Sequence, residues 1–170
     1  MVTVYERADA VGGLLMYGIP NMKLDKDVVA KRVRVLEELD VKFILNCDVG
    51  KDITYKELDA EYDAILLTGG STIPRDLKAP GRDLEGIRFA VDFLTETTKT
   101  LLKDGCDALK GTMENKNVVV IGGGDTGNDC VGTCLRRGAK VVQFEIMPEA
   151  PEQRLAGNPW PTFPKVKKTD

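Results

Sequence analysis

The chain has 170 residues, of which 42% are hydrophobic and 30% charged, as expected for an ordinary globular protein. Its net charge of −3 favours neither nucleic acid nor an acidic membrane surface as a partner, and no apolar run approaches the ~20 residues of a membrane span. The absence of histidine excludes Ser-His-Asp and Cys-His catalysis within the chain. The four cysteines contain no CxxC pair and predict a reducing, cytoplasmic compartment.

The first half alternates strand and helix signals. Val2–Glu6 is a short β-branched strand, and Asp25 is typical of a helix N-cap because apolar residues follow it at helical spacing. A second strand is predicted at Val41–Leu45 and a short helix at Tyr55–Glu61. The continuous apolar run Ala64–Leu67 predicts a strand buried on both faces of a parallel sheet.

A proline- and glycine-rich stretch, residues 74–86, interrupts this pattern and predicts a domain boundary. We therefore expect two domains, residues 1–86 and 87–170. The second opens with a predicted helix at Phe89–Leu102, and the tail from Pro148 has the wrong composition for a helix or a central strand. Alternation of this kind predicts an α/β, Rossmann-like fold with parallel sheets.

The strongest motif is a GxGxxG sequence formed by Gly122, Gly124 and Gly127. It follows an apolar strand that begins at Val118 and opens a predicted helix at about Asp125–Arg137. In dinucleotide-binding βαβ units the first glycine permits the tight turn, the second lets the pyrophosphate approach the backbone, and the third lets helix and strand pack closely. The helix N-terminus would then face the phosphates.

The sequence beyond this helix completes the βαβ pattern. A second strand is predicted at Lys140–Phe144, and Glu145 follows it about twenty residues after the first glycine, where a ribose-binding carboxylate is expected. Its charge favours NADH over NADPH, although Arg154 could still reach a 2′-phosphate. Asp125 and Thr126 can cap the helix and can also face the cofactor, since the two roles are compatible. The competing interpretation is a glycine-rich turn that binds no nucleotide.

The N-terminal segment has features of a second dinucleotide site. Glu6 ends a strand, as does the carboxylate that binds ribose hydroxyls after the second Rossmann strand, and Gly12-Gly13 follow it. We then expect the first strand and its glycine loop upstream of Met1. Taken alone, Glu6 is as well explained as a surface acid and Gly12-Gly13 as any loop.

Together these segments resemble the glutamate synthase small (beta) subunit family, and they occur in that family's order along the chain. The segments that carry the resemblance are Glu6-Arg7, Gly12-Gly13-Leu14-Leu15, Gly18-Ile19-Pro20, Lys23-Leu24, Thr68-Gly69-Gly70, Pro74-Arg75, Pro80-Gly81, Gly122–Gly127, Asp129-Cys130 and Asn158-Pro159-Trp160-Pro161.

The resemblance implies parts of an FAD-type and an NAD(P)-type domain. NAD(P)H, with NADH slightly favoured, passes a hydride to FAD, and electrons continue through iron–sulfur clusters to a large subunit or domain that forms glutamate from 2-oxoglutarate and glutamine-derived ammonia. No side chain need act as an acid–base catalyst, because the cofactors carry the redox chemistry. The cofactor-binding residues implied are Glu6, Gly13, Leu14, Val49, Thr68, Gly69, Gly122, Gly124, Asp125, Thr126, Gly127 and Glu145.

The chain also departs from the family. The cysteine clusters that hold iron–sulfur centres are absent, and so is the first FAD glycine loop. We therefore expect an internal piece of a longer subunit, with the iron–sulfur clusters in the missing N-terminal part or in the partner. We also expect that this polypeptide alone does not bind FAD stoichiometrically, because the glycine loop that binds the pyrophosphate is missing. One alternative is a non-catalytic nucleotide-binding or assembly fragment without flavin. An unrelated Rossmann enzyme would need a Tyr-x-x-x-Lys pair, and neither Tyr55 nor Tyr62 has a lysine four residues on.

Overall fold

The computed structural model describes residues 1–167 and divides the chain into two units, Met1–Gly105 and Cys106–Asp170. The helices and strands are, in chain order, β1 Val2–Tyr5, α1 Lys26–Glu38, β2 Val41–Ile44, α2 Tyr55–Glu61, α3 Ala90–Asp104, β3 Asn117–Ile121, α4 Asp125–Arg136 and β4 Lys140–Phe144. Two short turns accompany them, a π-helical turn at Leu14–Gly18 and a 3-10 turn at Cys106–Ala108.

Unit one is built around a β1–α1–β2 unit. Strands β1 and β2 pair in parallel with Val2 opposite Val41, and α1 crosses between them. As predicted, Asp25 is the N-cap of α1, and its carboxylate accepts the Asp27 N–H at 3.0 Å. The next residue, Lys26, is buried, and its ammonium donates to three backbone carbonyls around the π-helical turn. This cluster ties the turn to the start of α1.

Each helix of unit one contributes one buried apolar residue. These residues are Val29, Leu58 and Leu94, with Leu94 only 1% exposed. Helix α3 packs against the π-helical turn. This contact explains why the units divide after Gly105, whereas the proline-rich stretch suggested a division between residues 86 and 87.

The predicted strand at Ala64–Leu67 is wrong. This segment has no strand structure, and Leu66 and Leu67 are 85% and 80% exposed. A β-strand exists only where a neighbouring strand accepts its hydrogen bonds, and within residues 1–167 the ladder of unit one consists of β1 and β2 alone. Within the described residues, no strand therefore pairs with the apolar run Ala64–Leu67.

Unit two is built around a second unit of the same kind, β3–α4–β4. Strands β3 and β4 pair in parallel with Asn117 opposite Lys140, as the GxGxxG context predicted. Helix α4 packs on one face of this pair and buries Cys130 and Cys134, the two cysteines that share its inner face. Both units thus confirm the α/β expectation.

The remaining segments are irregular. As predicted, the tail from Pro148 to residue 167 forms neither helix nor strand. Across residues 1–167 we find no helix with the length and apolar character needed to cross a bilayer.

Candidate functional site

The glycine motif forms a tight turn between β3 and α4. Gly122 follows the strand with a φ of +112°, a conformation that side-chain-bearing residues rarely adopt. Its N–H donates to the Phe144 carbonyl at 2.8 Å, which extends the ladder between β3 and β4 by one bond. Gly124 is the N-cap of α4. The chain therefore turns from strand to helix within three glycines.

The surroundings of each glycine fit the three roles expected for a pyrophosphate-binding turn. A Cβ at Gly124 would have no heavy atom within 4 Å, so the backbone there is open to a ligand. A Cβ at Gly127 would lie 2.1 Å from the Gly122 carbonyl oxygen, so α4 reaches the turn as closely as it does only because that residue lacks a side chain. The tight turn at Gly122, the open approach to the backbone at Gly124 and the close packing of helix on strand at Gly127 are thus all present.

The start of α4 is suited to bind an anion. The N-cap position belongs to Gly124, which has no side chain to occupy the space in front of the helix. Asp125 and Thr126 are the first two residues of the helix itself, after the N-cap position, and both are exposed. Helix N-terminal N–H groups and the positive end of the dipole favour a phosphate at such a position.

Glu145 lies beside the glycine turn. Its carboxylate accepts the Gly123 N–H at 2.7 Å and the Met147 N–H at 2.9 Å. The N–H groups of Met147 and Gly123 lower the pKa of this carboxyl below its ordinary value, so it stays ionised at neutral pH. A Cβ at Gly123 would lie 2.4 Å from the carboxylate oxygen and 2.9 Å from the Glu145 Cβ, so a side chain at position 123 would disturb this contact.

Gln143 is a contact that sequence analysis missed. From β4 its side-chain amide donates to the Gly122 carbonyl at 2.8 Å. The only signal available in the sequence was a polar residue between the apolar Val142 and Phe144. Two side chains therefore hold the turn, Gln143 in β4 and Glu145 directly after it.

In unit one Glu6 has a similar setting. It directly follows β1, its backbone bonds to Ile44 and Cys47 beside the end of β2, and its carboxylate accepts the Ala8 N–H at 2.9 Å. Glu145 makes the same contact with the N–H two residues after it, at 2.9 Å. The two glutamates thus end their strands in equivalent turns.

The other candidate residues of unit one are more dispersed. Gly13 has a φ of +52° and open space around its missing side chain, and it leads into the π-helical turn, where Leu14 is exposed. Val49 forms an isolated bridge with Ile53, in the loop that follows β2. Thr68 and Gly69 lie in an exposed coil. Among the described residues, the structure brings the unit-two candidates into one turn but does not gather those of unit one.

Metal binding has no candidate site in the part of the chain the structure describes, where no three His, Cys, Asp or Glu side chains cluster suitably. The four cysteines are free, and Cys130 and Cys134 are buried. Burial raises the pKa of the Cys130 thiol to about 11, which makes it unreactive.

Comparison with known proteins identifies relatives of this arrangement. The family model for pyridine nucleotide-disulphide oxidoreductase matches residues 3–156. The chain is 49% identical, over 99% of its length, to the NADH glutamate synthase of Saccharomyces cerevisiae, and 47% identical, over 97%, to the NADPH glutamate synthase small chain of Bacillus subtilis. It spans 8% and 34% of those relatives. The predicted resemblance to glutamate synthases is confirmed.

A solved structure supports the fold. The chain is similar to the His57Gln mutant of FprA from Mycobacterium tuberculosis, with a TM-score of 0.64 and 25% identity. The match covers 84% of this chain and 36% of FprA. The α/β dinucleotide-binding fold is therefore shared.

Proposed function

Because this chain belongs to the pyridine nucleotide-disulphide oxidoreductase family, we propose that it is the electron-input part of a glutamate synthase-like flavoprotein. In this proposal a hydride passes from NAD(P)H to FAD, and electrons continue to a glutamate-forming large subunit or domain. The observation that carries the proposal is the open glycine turn at the start of α4 with Glu145 beside it. The nicotinamide and flavin supply the redox chemistry when bound.

The glycine turn would bind the pyrophosphate of NAD(P)H. Gly124 leaves the backbone open, and N–H groups at the start of α4 can donate to phosphate oxygens. Asp125 and Thr126 lie in that first turn, next to the expected phosphate position. Gly127 lets the helix start approach the strand, which fixes where those donors point.

Glu145 would select NADH. Its ionised carboxylate is held by two backbone N–H groups, so it can accept the ribose hydroxyls of NADH and repel the 2′-phosphate of NADPH. The alternative partner for that phosphate, Arg154, donates instead to the carbonyls of Asn158 and Thr162 in the tail. The relatives include both NADH and NADPH enzymes, and we propose that this local geometry determines which nucleotide the present chain prefers.

Unit one would contact FAD. Glu6 would bind the ribose of its adenosine, since it ends β1 in the same turn that Glu145 forms after β4. Gly13 and Leu14 are open and exposed, and Val49, Thr68 and Gly69 complete the proposed set. The four free cysteines accord with a reducing compartment, for which we propose the cytoplasm.

A direct test is NADH-dependent glutamate formation from 2-oxoglutarate and glutamine by the intact protein with its partner. We expect activity with NADH and a kcat/KM about tenfold or more lower with NADPH, because a carboxylate opposes the added phosphate. A clear preference for NADPH would contradict the role of Glu145. Nucleotide binding without any reduction would favour the non-catalytic alternative.

A further inference from the structure

Opposite ends of one peptide group in the glycine turn are held by two side chains from the end of β4. The Gly122 carbonyl and the Gly123 N–H belong to the same planar peptide, so they point in opposite directions. Gln143 donates to the carbonyl at 2.8 Å, and Glu145 accepts from the N–H at 2.7 Å. The two contacts together specify one orientation of this peptide.

This peptide needs such a hold because both residues that flank it are glycines. Without a Cβ on either side, the peptide can rotate at little steric cost, and Gly122 already has a φ of +112°. Rotation would turn a carbonyl dipole toward the side on which the N–H now lies. A carbonyl oxygen there would face the Glu145 carboxylate and repel it, whereas the N–H holds that carboxylate in the place proposed for the ribose hydroxyls.

The position of the Gln143 amide connects it to the helix as well. A Cβ at Gly127 would lie 2.1 Å from the Gly122 oxygen and 2.8 Å from the Gln143 nitrogen. The side-chain amide therefore sits where strand, turn and helix start meet. It is half-buried, so its hydrogen bond competes with water less than an exposed one does.

We propose that Gln143 is a cofactor-positioning residue that orients the Gly122–Gly123 peptide for dinucleotide binding, a role that rests on the proposed NAD(P)H site. Gln143 acts through this peptide and not by touching the reacting atoms. Its loss should therefore weaken NADH binding and leave the flavin content and kcat at saturating NADH unchanged.

The test compares Gln143→Met and Gln143→Glu in the intact protein. The methionine removes the donor at similar length, and we expect the Kd for NADH to rise by ~3- to 10-fold. The ionised glutamate places a charge against the Gly122 carbonyl and should weaken binding further. Gln153→Glu is the matched control, because Gln153 is exposed in the tail and the same charge is added.

The pH dependence of NADH affinity distinguishes a loss of peptide orientation from a general loss of folded structure. A protonated glutamate can donate as the amide does, so NADH affinity of Gln143→Glu should recover toward the unmodified protein as pH falls, while Gln143→Met should not recover. The charged residues Glu145 and Asp125 lie beside the turn in every variant, so the pH profile of Gln143→Met is the reference against which the recovery of Gln143→Glu is measured.

Three results would overturn the role of Gln143. They are unchanged NADH affinity in both variants, a loss in Gln143→Glu that does not depend on pH, and an equal loss in Gln153→Glu. A Gly124→Val variant distinguishes failure of the positioning role from failure of the proposed nucleotide site. If it loses NADH while the Gln143 variants bind normally, only the positioning role fails; if it also binds normally, the proposed nucleotide site fails.

Discussion

Alanine substitutions at two glycines of the same motif should differ in their effect on folding. A methyl group at Gly124 would meet no heavy atom within 4 Å, and the residue's φ of −76° is accessible to alanine. A methyl group at Gly127 would lie 2.1 Å from a backbone carbonyl oxygen, so helix or turn must move. Gly124→Ala should therefore impair binding, whereas Gly127→Ala should impair both folding and binding.

The magnitudes follow from these contacts. For Gly124→Ala we expect the free energy of unfolding to change by no more than about 0.5 kcal/mol, as for other surface substitutions. The added methyl group would displace the pyrophosphate from one or two N–H donors, each worth ~1.5–3 kcal/mol, so the Kd for NADH should rise by ~10- to 100-fold per donor. For Gly127→Ala we expect a loss of ~1–3 kcal/mol of stability, as in other overpacked sites.

The assay combines chemical unfolding with NADH titration of the intact protein. Gly105→Ala is not a suitable control, because its φ of +81° strains any side chain. Gly69→Ala is suitable for unfolding, since it has open surroundings and no positive φ. The reasoning is refuted if Gly124→Ala unfolds as easily as Gly127→Ala, or if it binds NADH as tightly as the unmodified protein.

The other predictions concern single side chains. Glu145→Gln should raise kcat/KM for NADPH, and Glu149→Gln is the charge-matched control. The pKa of Glu145 is lowered in the folded protein, so its contribution to the free energy of unfolding is present above the ordinary carboxyl pKa and is lost as pH falls through the lowered value. Acid unfolding of Glu145→Gln should therefore lack this loss. Lys26→Met should lower the free energy of unfolding by ~2–4 kcal/mol, because three carbonyls lose their buried donor. Urea titration would measure this loss, and Lys31→Met, at an exposed position of the same helix, is the control that should change little. Burial and the Asp9 carboxylate raise the pKa of Tyr17 to about 12. Tyr17 therefore contributes to the free energy of unfolding below its ordinary pKa of 10.0, and this contribution declines as pH rises toward 12. The decline should be absent from Tyr17→Phe.

The βαβ unit of the nucleotide site could be predicted because its signals are local. The strand, the glycine spacing and the following helix lie in one short stretch, and each glycine has the structural reason expected of it. The helices at Asp25 and Tyr55 were predictable for the same reason, since their caps, Asp25 and Thr54, are adjacent in sequence.

What could not be predicted depends on pairing across the chain. The Ala64–Leu67 run has the composition of a buried strand, but composition does not say whether a neighbouring strand is present to accept its hydrogen bonds. The contact from Gln143 to Gly122 likewise depends on the register of β4 against β3. The π-helical turn after Gly13 has no simple sequence pattern, because its position is fixed by the Lys26 contacts.

The central claim is that this site delivers a hydride from a nicotinamide to a flavin. The most direct measurement mixes the intact protein anaerobically with NADH, or with NADH deuterated at the transferring carbon, and follows the visible absorbance of the flavin. We expect the flavin to bleach, more slowly with the deuterated nucleotide, and the bleaching to be lost in Gly124→Val. Flavin absorbance that stays unchanged while NADH binds would contradict the account.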